Sequence, residues 1–469
     1  MARKKALKKK TVTPHTYLKK KPFLFPRLLN YTIFLFFAAT PLIVYSTMDD
    51  AGYQPFFTLY DLPKTGFIMA FILLQIGIYL LSLASDRNER RVLSKFVRDD
   101  SGVKILLLLL FWQAFSIIDA AVTSTAVFIL VQWLILAGAY ILWARLFSRA
   151  SGRWSAVYGL VAALVVFNII SILQFFGFKI FFLLPILGPS ATLGYRNPAA
   201  HFLVYSLPFV LFAFSRSWRL WRENRRRYHL YGFAGLLIVA ASSVVLVFMN
   251  YSRTAILALM LEVLVLPFIW LRFPAGSNKI RFMGRGVLMI MMSLFVISVL
   301  IYTFPKSRER VTTSWYKLQQ SPARLLEFRY YHWANTLMMI KENPALGVGI
   351  GNWQVIYPLY YKSFARDPLF NYRMQVRRTH NDYLQLAAEC GIPGLLLFLL
   401  LWGRQFYLLR YPSRERDGDQ DWRLPLAASL LAFSVIMFFS FPMQMAYSRM
   451  FCFFLLALGE ARAWPVLSK

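Results

Sequence analysis

Cysteine is almost absent from this chain of 469 residues, which contains two, Cys390 and Cys452. Two cysteines exclude a framework of several disulfides and a cysteine metal cluster. Histidine is also rare, and the five histidines, at positions 15, 201, 229, 332 and 380, show no spacing typical of metal ligands. The sequence therefore predicts a protein with no metal and no cofactor.

Charged residues are scarce as well, at 16% of the chain, whereas 58% of the residues are hydrophobic and 17% are aromatic. A soluble protein of this length could not cover so much apolar surface. Continuous apolar runs of about 20 residues, the length of a helix that crosses a bilayer, recur along the chain. Because these runs do not alternate with polar residues, they exclude a membrane β-barrel. The predicted fold is an all-α polytopic membrane protein with about 12 transmembrane helices.

The apolar runs divide the chain into five regions. Helices 1–9 are predicted within 28–304 and helices 10–12 within 392–461, with one large polar loop that contains helical segments, 305–391, between them. Basic tails, 1–27 and 462–469, flank the bundle. The predicted spans are 28–46, 65–85, 102–118, 125–147, 154–175, 198–215, 230–248, 254–271, 286–304, 392–409, 425–441 and 446–461.

Acidic residues are far fewer than basic ones, 21 against 53 lysines and arginines, and the net charge is +32. The basic residues are distributed unevenly. If the N-terminus is cytoplasmic, the tails and loops of that side hold 35 of them, and the short loops and helix ends opposite hold 5. This asymmetry predicts that both termini are cytoplasmic and that the loop 305–391 lies outside. The basic clusters would then contact membrane lipids, and we expect no nucleic-acid partner.

A polar stretch, RRTHNDYLQLAAECGIPG, precedes the tenth predicted span. Thr379 and Asp382 have the spacing of a capping box, which predicts a short helix that begins at His380. In a first helical turn, the helix dipole and the two preceding arginines would favour the neutral imidazole. Because a neutral imidazole can accept a proton from a hydroxyl, His380 is the candidate general base. The candidates for a secondary role in the site are Arg377, Arg378 and Asn381.

Two arginines occupy similar places before helices on the same side. In GYRNPAA, Asn197 can cap a helix that starts at Pro198, with Arg196 just outside it. In NYSRTA, Ser252 can cap a helix with Arg253 in its first turn. Helix N-termini attract anions, and arginine presents a planar fork to phosphate oxygens. The pattern predicts a phosphate or diphosphate ligand, although a single arginine at a membrane-helix end is usually an interfacial anchor.

The large loop contains two further patterns. ARLLEFRYYHWANTLMMIKEN predicts an amphipathic helix, because its apolar residues recur at helical spacing. ENPALGVGIGNW predicts a sharp structural turn around Gly347, Gly349 and Gly351, and Gly391 predicts a separate break before the tenth span. A nucleotide-binding loop is not indicated, because no strand precedes these glycines.

GYRNPAA, NYSRTA, ENPALGVGIGNW and THNDYLQLAAECGIPG, in this order, together resemble the O-antigen ligase/polymerase family of bacterial membrane glycosyltransferases, over roughly 190–441. The resemblance implies a GT-C-like fold in the inner membrane, a periplasmic active site and an undecaprenyl-diphosphate-linked glycan donor. It also implies an inverting, metal-independent transfer. His380 would activate the acceptor hydroxyl, and Arg196 and Arg253 would hold the diphosphate and stabilise its departure.

The resemblance does not identify the acceptor of the glycan. A ligase passes the glycan to lipid A-core, a polymerase passes it to another glycan, and related enzymes glycosylate proteins. The loop 305–391 holds 12 lysines and arginines against 6 acidic residues, which favours phosphorylated lipid A-core and therefore ligation. A transporter of the same lipid is the alternative from another class. It predicts internal repeats and polar residues at the bilayer midplane, and the sequence shows no clear repeat.

Overall fold

The computed structural model describes residues 24–44, 61–178, 189–272, 279–320, 326, 328–360, 376–410 and 422–461, and the basic tails lie almost entirely outside them. The described residues form helices and contain no strand. The helices are α1 Leu24–Ala39, α2 Leu62–Ser85, α3 Arg87–Asp99, α4 Ser101–Phe115, α5 Thr123–Phe147, α6 Ala150–Phe175, α7 Arg196–Asn224, α8 Arg227–Met249, α9 Arg253–Arg272, α10 Lys279–Thr303, α11 Pro305–Gln320, α12 Phe328–Glu342, α13 Trp353–Ile356, α14 Asp382–Leu408, α15 Arg423–Phe439 and α16 Ala446–Glu460.

Each predicted span coincides with one of these helices, but their lengths do not confirm a count of twelve. Among the described residues, seven helices are long and apolar enough to cross a membrane, or up to 8 if the bent pair of α10 and α11 counts as one span. The bend between the apolar part of α10 and α11 is 104°. Helices α1, α15 and α16 have 16, 17 and 15 residues, fewer than the about 20 that a full crossing requires. The chain is an all-helical membrane protein.

Helices α7 and α16 form the centre of the bundle. In α7, 83% of the apolar stretch is buried, against 28% in α2, which leaves most of α2 to face lipid. The Tyr205 ring lies 4.4 Å from the Phe451 ring, and the Tyr205 hydroxyl is 3.1 Å from the Ser448 Oγ. A helix that is packed on nearly all sides holds its ends firmly, so the first residues of α7 have a fixed position.

The glycine-rich turn after α12 packs against a kink in α14. At the kink, Gly391 has φ 69° and ψ 178°, and the Ile392 N–H donates to the Pro344 carbonyl over 2.8 Å. A Cβ on Gly391 would lie 1.8 Å from the Ala345 carbonyl oxygen, so this close approach requires glycine. In the turn, Gly347, Gly349 and Gly351 have φ of 72°, 88° and 75°. The predicted turn and the predicted break are confirmed, and α12 confirms the predicted helix over its described part.

Candidate functional site

The segment that leads into α7 is held by hydrogen bonds from three other parts of the chain. The buried Lys64 ammonium donates to the Thr192 carbonyl over 2.7 Å, and the Ala191 N–H donates to the Gln174 Oε1 over 2.7 Å. The Asn250 side chain donates to the Pro189 carbonyl over 3.2 Å. The helix then begins at Arg196 and not at Pro198, because Tyr195 and not Asn197 occupies the N-cap position. These contacts fix the position of Arg196 at the start of α7.

Two basic side chains lie over the Tyr251 ring, and a third basic residue begins α9 two residues after Tyr251. We call Arg196, Arg253, Lys306 and Tyr251 the basic cluster. The Arg196 guanidinium lies 4.4 Å from the centre of the Tyr251 ring, and the Lys306 ammonium lies 5.5 Å from the same ring. Arg253 begins α9, in the predicted first turn, and donates to the Ser314 Oγ over 3.3 Å. The structure thus places Arg196 over Tyr251, two residues before Arg253, and adds Lys306, which the sequence analysis missed.

The residue that the sequence predicts as the base, His380, lies two residues before α14 and not in its first turn. Its backbone has φ 58°, and the helix is capped instead by Asn381, whose Oδ1 accepts from the Leu384 N–H over 3.0 Å. Thr379 does not cap the helix, because its hydroxyl accepts from the Asn381 N–H over 2.9 Å. The predicted capping box is therefore wrong, since the asparagine and not the threonine reaches the first turn of the helix.

Aromatic rings enclose the His380 imidazole. The ring lies 4.8 Å from Phe441, 5.1 Å from Phe328 and 6.1 Å from His332, and its Nδ1 is buried without a hydrogen-bond partner among the described residues. Burial, followed by the positive charge of Arg329, lowers the pKa of His380 well below its usual range. The neutral imidazole agrees with the prediction, although desolvation and not the helix dipole is the main cause.

Three residues beside His380 were missed by sequence reasoning. Arg329, His332 and His201 all lie close enough to contribute to the lowered pKa of His380. His201 and His332 are each 3% exposed. His201 follows Arg196 by five residues in α7, a rise of about 7.5 Å, so α7 connects the basic cluster to the surroundings of His380. In a sequence, a histidine within a helix usually looks like a core residue. Only the fold places His201, His332 and Arg329 beside His380.

The candidates for a secondary role, Arg377, Arg378 and Asn381, have different surroundings. The Arg378 guanidinium donates to the Gln354 Oε1 over 3.3 Å and to the Arg377 carbonyl over 2.8 Å, and Arg377 is exposed. Arg378 also lines a cavity of about 360 Å³. The direct contacts of Arg378 are therefore with this cavity, whereas Asn381 serves as a helix cap.

The described residues contain no group of three or more histidine, cysteine, aspartate or glutamate side chains arranged to hold a metal ion. Both cysteines are buried and unpaired. Two histidines, His201 and His332, lie near His380, and the His332 ring stacks on the His380 ring at 6.1 Å. Transfer without a metal stays a prediction.

A comparison with known proteins gives the family of the middle of the chain. Residues 238–399 match a family model described as O-antigen ligase, and no curated protein matches the chain. The matched part extends from α8 into α14 and contains Arg253, Lys306, Arg329 and His380, but it does not reach Arg196 or His201. The chain is a membrane protein whose residues 238–399 are similar to the O-antigen ligase family, which confirms its resemblance to the O-antigen ligase/polymerase family.

Proposed function

We propose that this protein is a glycosyltransferase that moves a glycan from undecaprenyl diphosphate to a hydroxyl of lipid A-core, at the periplasmic face of the bacterial inner membrane. The observation that carries the proposal is the half-buried His380, whose pKa is lowered. An imidazole that is neutral and partly accessible can take a proton from an attacking hydroxyl. The basic cluster, which α7 connects to this histidine, supplies the complementary charge for a diphosphate.

In this mechanism His380 accepts the proton of the acceptor hydroxyl as the oxygen attacks the anomeric carbon. The new C–O bond forms as the bond between that carbon and the diphosphate oxygen breaks, so the configuration inverts. Negative charge develops on the departing diphosphate, and Arg196, Arg253 and Lys306 stabilise it. The Arg196 guanidinium lies over the Tyr251 ring, a cation–π contact that leaves its N–H groups available to an anion in this proposal.

The positive charge of Arg329 has two effects on His380 in this mechanism. Its positive charge helps to keep His380 neutral, and it lies on α12, beside the acceptor's proposed point of attack. The same charge would oppose the protonated imidazole that forms after the proton transfer. Release of that proton to water is therefore favoured, which would return His380 to its neutral form for the next turnover.

The acceptor is tested by deletion of the gene, followed by electrophoresis of lipopolysaccharide and of extracted lipid-linked glycan. Ligation predicts long chains on undecaprenyl diphosphate and bare lipid A-core. Polymerisation predicts single repeats on lipid A-core and the loss of long chains, and this pattern would overturn the choice of ligation. Unchanged profiles in both fractions would point to a different acceptor.

Transport of the lipid is tested with purified protein, the lipid-linked glycan and lipid A-core in detergent, with no energy source. The proposal predicts a glycosylated product. Binding of the lipid-linked glycan without any product would favour a transporter.

A further inference from the structure

A second polar site has a charge pattern different from that of the basic cluster. The cavity of about 360 Å³ lies among the start of α2, the N-terminal half of α5, the glycine-rich turn, α14 and α16. It falls within the range of about 300–1,000 Å³ that is usual for small-ligand pockets. Two carboxylates and two guanidiniums line it, from Asp61, Glu389, Arg378 and Arg449. We call it the balanced cavity, because these formal charges cancel in a protein of net charge +32.

The two carboxylates of the balanced cavity are held by backbone and amide groups. The Asp61 Oδ1 accepts from the Ala446 N–H over 2.8 Å. The Glu389 carboxylate accepts from the Gly351 N–H and from the Gln385 side chain, each over 3.0 Å. Asp61 and Glu389 are each 4% exposed, so their orientation is fixed before any ligand arrives.

The arginines of the cavity are held in the same way. Arg449, which is 4% exposed, donates from Nη1 to the Gln132 Oε1 over 2.7 Å and from Nε to the Met443 carbonyl over 2.6 Å. Arg378 donates to the Gln354 Oε1. Each of the four charged groups is thus paired with a neutral group. Buried charges are costly unless their remaining hydrogen-bonding capacity is used, which favours a ligand rich in donors and acceptors.

The side chains that complete the lining add amide and hydroxyl groups. Gln444 and Gln385 contribute amides, and Ser124 and Thr125 contribute hydroxyls. A sugar hydroxyl both donates and accepts, so it can bridge a carboxylate and an amide or guanidinium at once. A phosphate only accepts, and two fixed carboxylates would repel it. The chemistry of this lining therefore fits an uncharged sugar ring and disfavours the diphosphate.

We propose that the balanced cavity binds one uncharged sugar residue of the glycans that this enzyme handles. The inference rests on the proposed function, because it assigns the sugar and the diphosphate of that reaction to separate sites. Arg378 lines the cavity and His380 follows it by two residues, so the cavity and the proposed base share one segment of chain. The sugar belongs either to the donor glycan or to the acceptor.

A variant that fills the cavity without changing its charge tests the proposal. Thr125→Trp places a large ring at a half-buried position of the lining. Val127→Trp is the matched control, since Val127 lies on the same helix, is 46% exposed and does not line the cavity. Ser124→Trp, at an exposed position of the lining, replaces Thr125→Trp if that variant does not fold.

The first readout is saturation-transfer NMR of the purified protein with methyl glycosides of glucose, galactose and N-acetylglucosamine. We expect a signal from at least one of them with the wild type and with Val127→Trp. The filled variant should lose it, while all three proteins bind inorganic diphosphate equally. No signal with the wild type, or an equal signal in the filled variant, would overturn the proposal. This readout needs no turnover, so its outcome does not depend on whether transfer is observed.

The second readout identifies the source of the sugar. With undecaprenyl-diphosphate-linked glycan and lipid A-core, a filled variant in which KM for the acceptor rises at least tenfold would assign the cavity to the acceptor. A similar rise in KM for the donor would assign it to the donor glycan. Loss of the sugar signal with both KM values unchanged would contradict a role for the cavity in the reaction.

Discussion

The basic cluster and the balanced cavity are both polar sites at the same end of the bundle, and they hold their charges differently. In the basic cluster, two cations lie over the face of one tyrosine, and the cluster itself contains no carboxylate. In the balanced cavity, each guanidinium has a carboxylate as a neighbour in the lining and a neutral group as its hydrogen-bond partner. The first arrangement favours an anion, and the second favours a neutral molecule with many hydroxyls. The two sites would then bind different parts of the substrate, and a change in one should leave the ligand of the other bound.

His380→Ala should have the largest effect. Loss of the proposed base should lower the rate of transfer by about 100 to 10,000-fold, because that is the usual contribution of a general base. Donor binding should be unchanged, since the basic cluster is intact. Turnover of purified protein with lipid-linked glycan measures the effect, and His229→Ala, at the far end of α8 from the basic cluster, is the control. Wild-type turnover in His380→Ala would remove the assignment of the base.

Arg196→Lys and Arg253→Lys should each lower the rate of transfer by about 10 to 100-fold. Lysine keeps the charge but loses the planar fork, and a charge-assisted hydrogen bond contributes about 1.5–3 kcal/mol. The control is Arg216→Lys, since Arg216 lies on α7 too and stacks on an aromatic ring, 4.0 Å from the centre of Trp154. Sugar binding in the balanced cavity should not change. An equal loss in the Arg216 variant would show that these effects are structural.

Gly391→Ala should damage the balanced cavity and leave the basic cluster intact. The added Cβ would meet the Ala345 carbonyl at a positive φ, which should cost about 1–3 kcal/mol of stability and disturb the turn that positions Glu389. Gly403→Ala, later in α14, is the control because a Cβ there has nothing within 4 Å. Thermal unfolding in detergent measures the difference. Equal melting temperatures would contradict the close approach at the kink.

Arg329→Gln should have the smallest effect, a shift in the pH dependence of transfer. The reaction needs the neutral imidazole, so the rate falls as the pH drops through the pKa of His380, which is well below its usual range in the wild type. Removal of the Arg329 charge should raise that pKa. The acid limb of the pH–rate profile should therefore move to higher pH, whereas Arg308→Gln, at an exposed position of α11, should leave it in place. No shift would mean that Arg329 does not act on the base.

The sequence predicted most of the helices and the two proposed functional arginines of the basic cluster. Long apolar runs are read directly from the chain, and Arg253 follows a serine that marks a helix start. Lys306 was missed, because the sequence marks the end of the apolar run at 304 but not the 104° bend that sets the direction of α11. A charged residue in a loop is visible in the sequence, but the residues that it contacts depend on the fold of the loop.

The surroundings of His380 were the least predictable part. His201 and His332 lie 131 residues apart in the chain, in α7 and α12, and nothing local connects either of them to His380. The balanced cavity was not predicted for the same reason, since Asp61, Glu389 and Arg449 belong to the N-cap of α2, to α14 and to α16, which are distant in the chain. The Asn381 cap was misread because a threonine two residues earlier matched a known pattern, and both residues can cap a helix.

The most direct test of the division between the two sites is a structure of the protein with undecaprenyl diphosphate, by cryo-electron microscopy. The account predicts density for the diphosphate in the basic cluster, with oxygens about 2.7–3.2 Å from nitrogens of Arg196 and Arg253. The balanced cavity should hold no phosphate. Diphosphate density against Arg378 and Arg449, with the basic cluster empty, would contradict it.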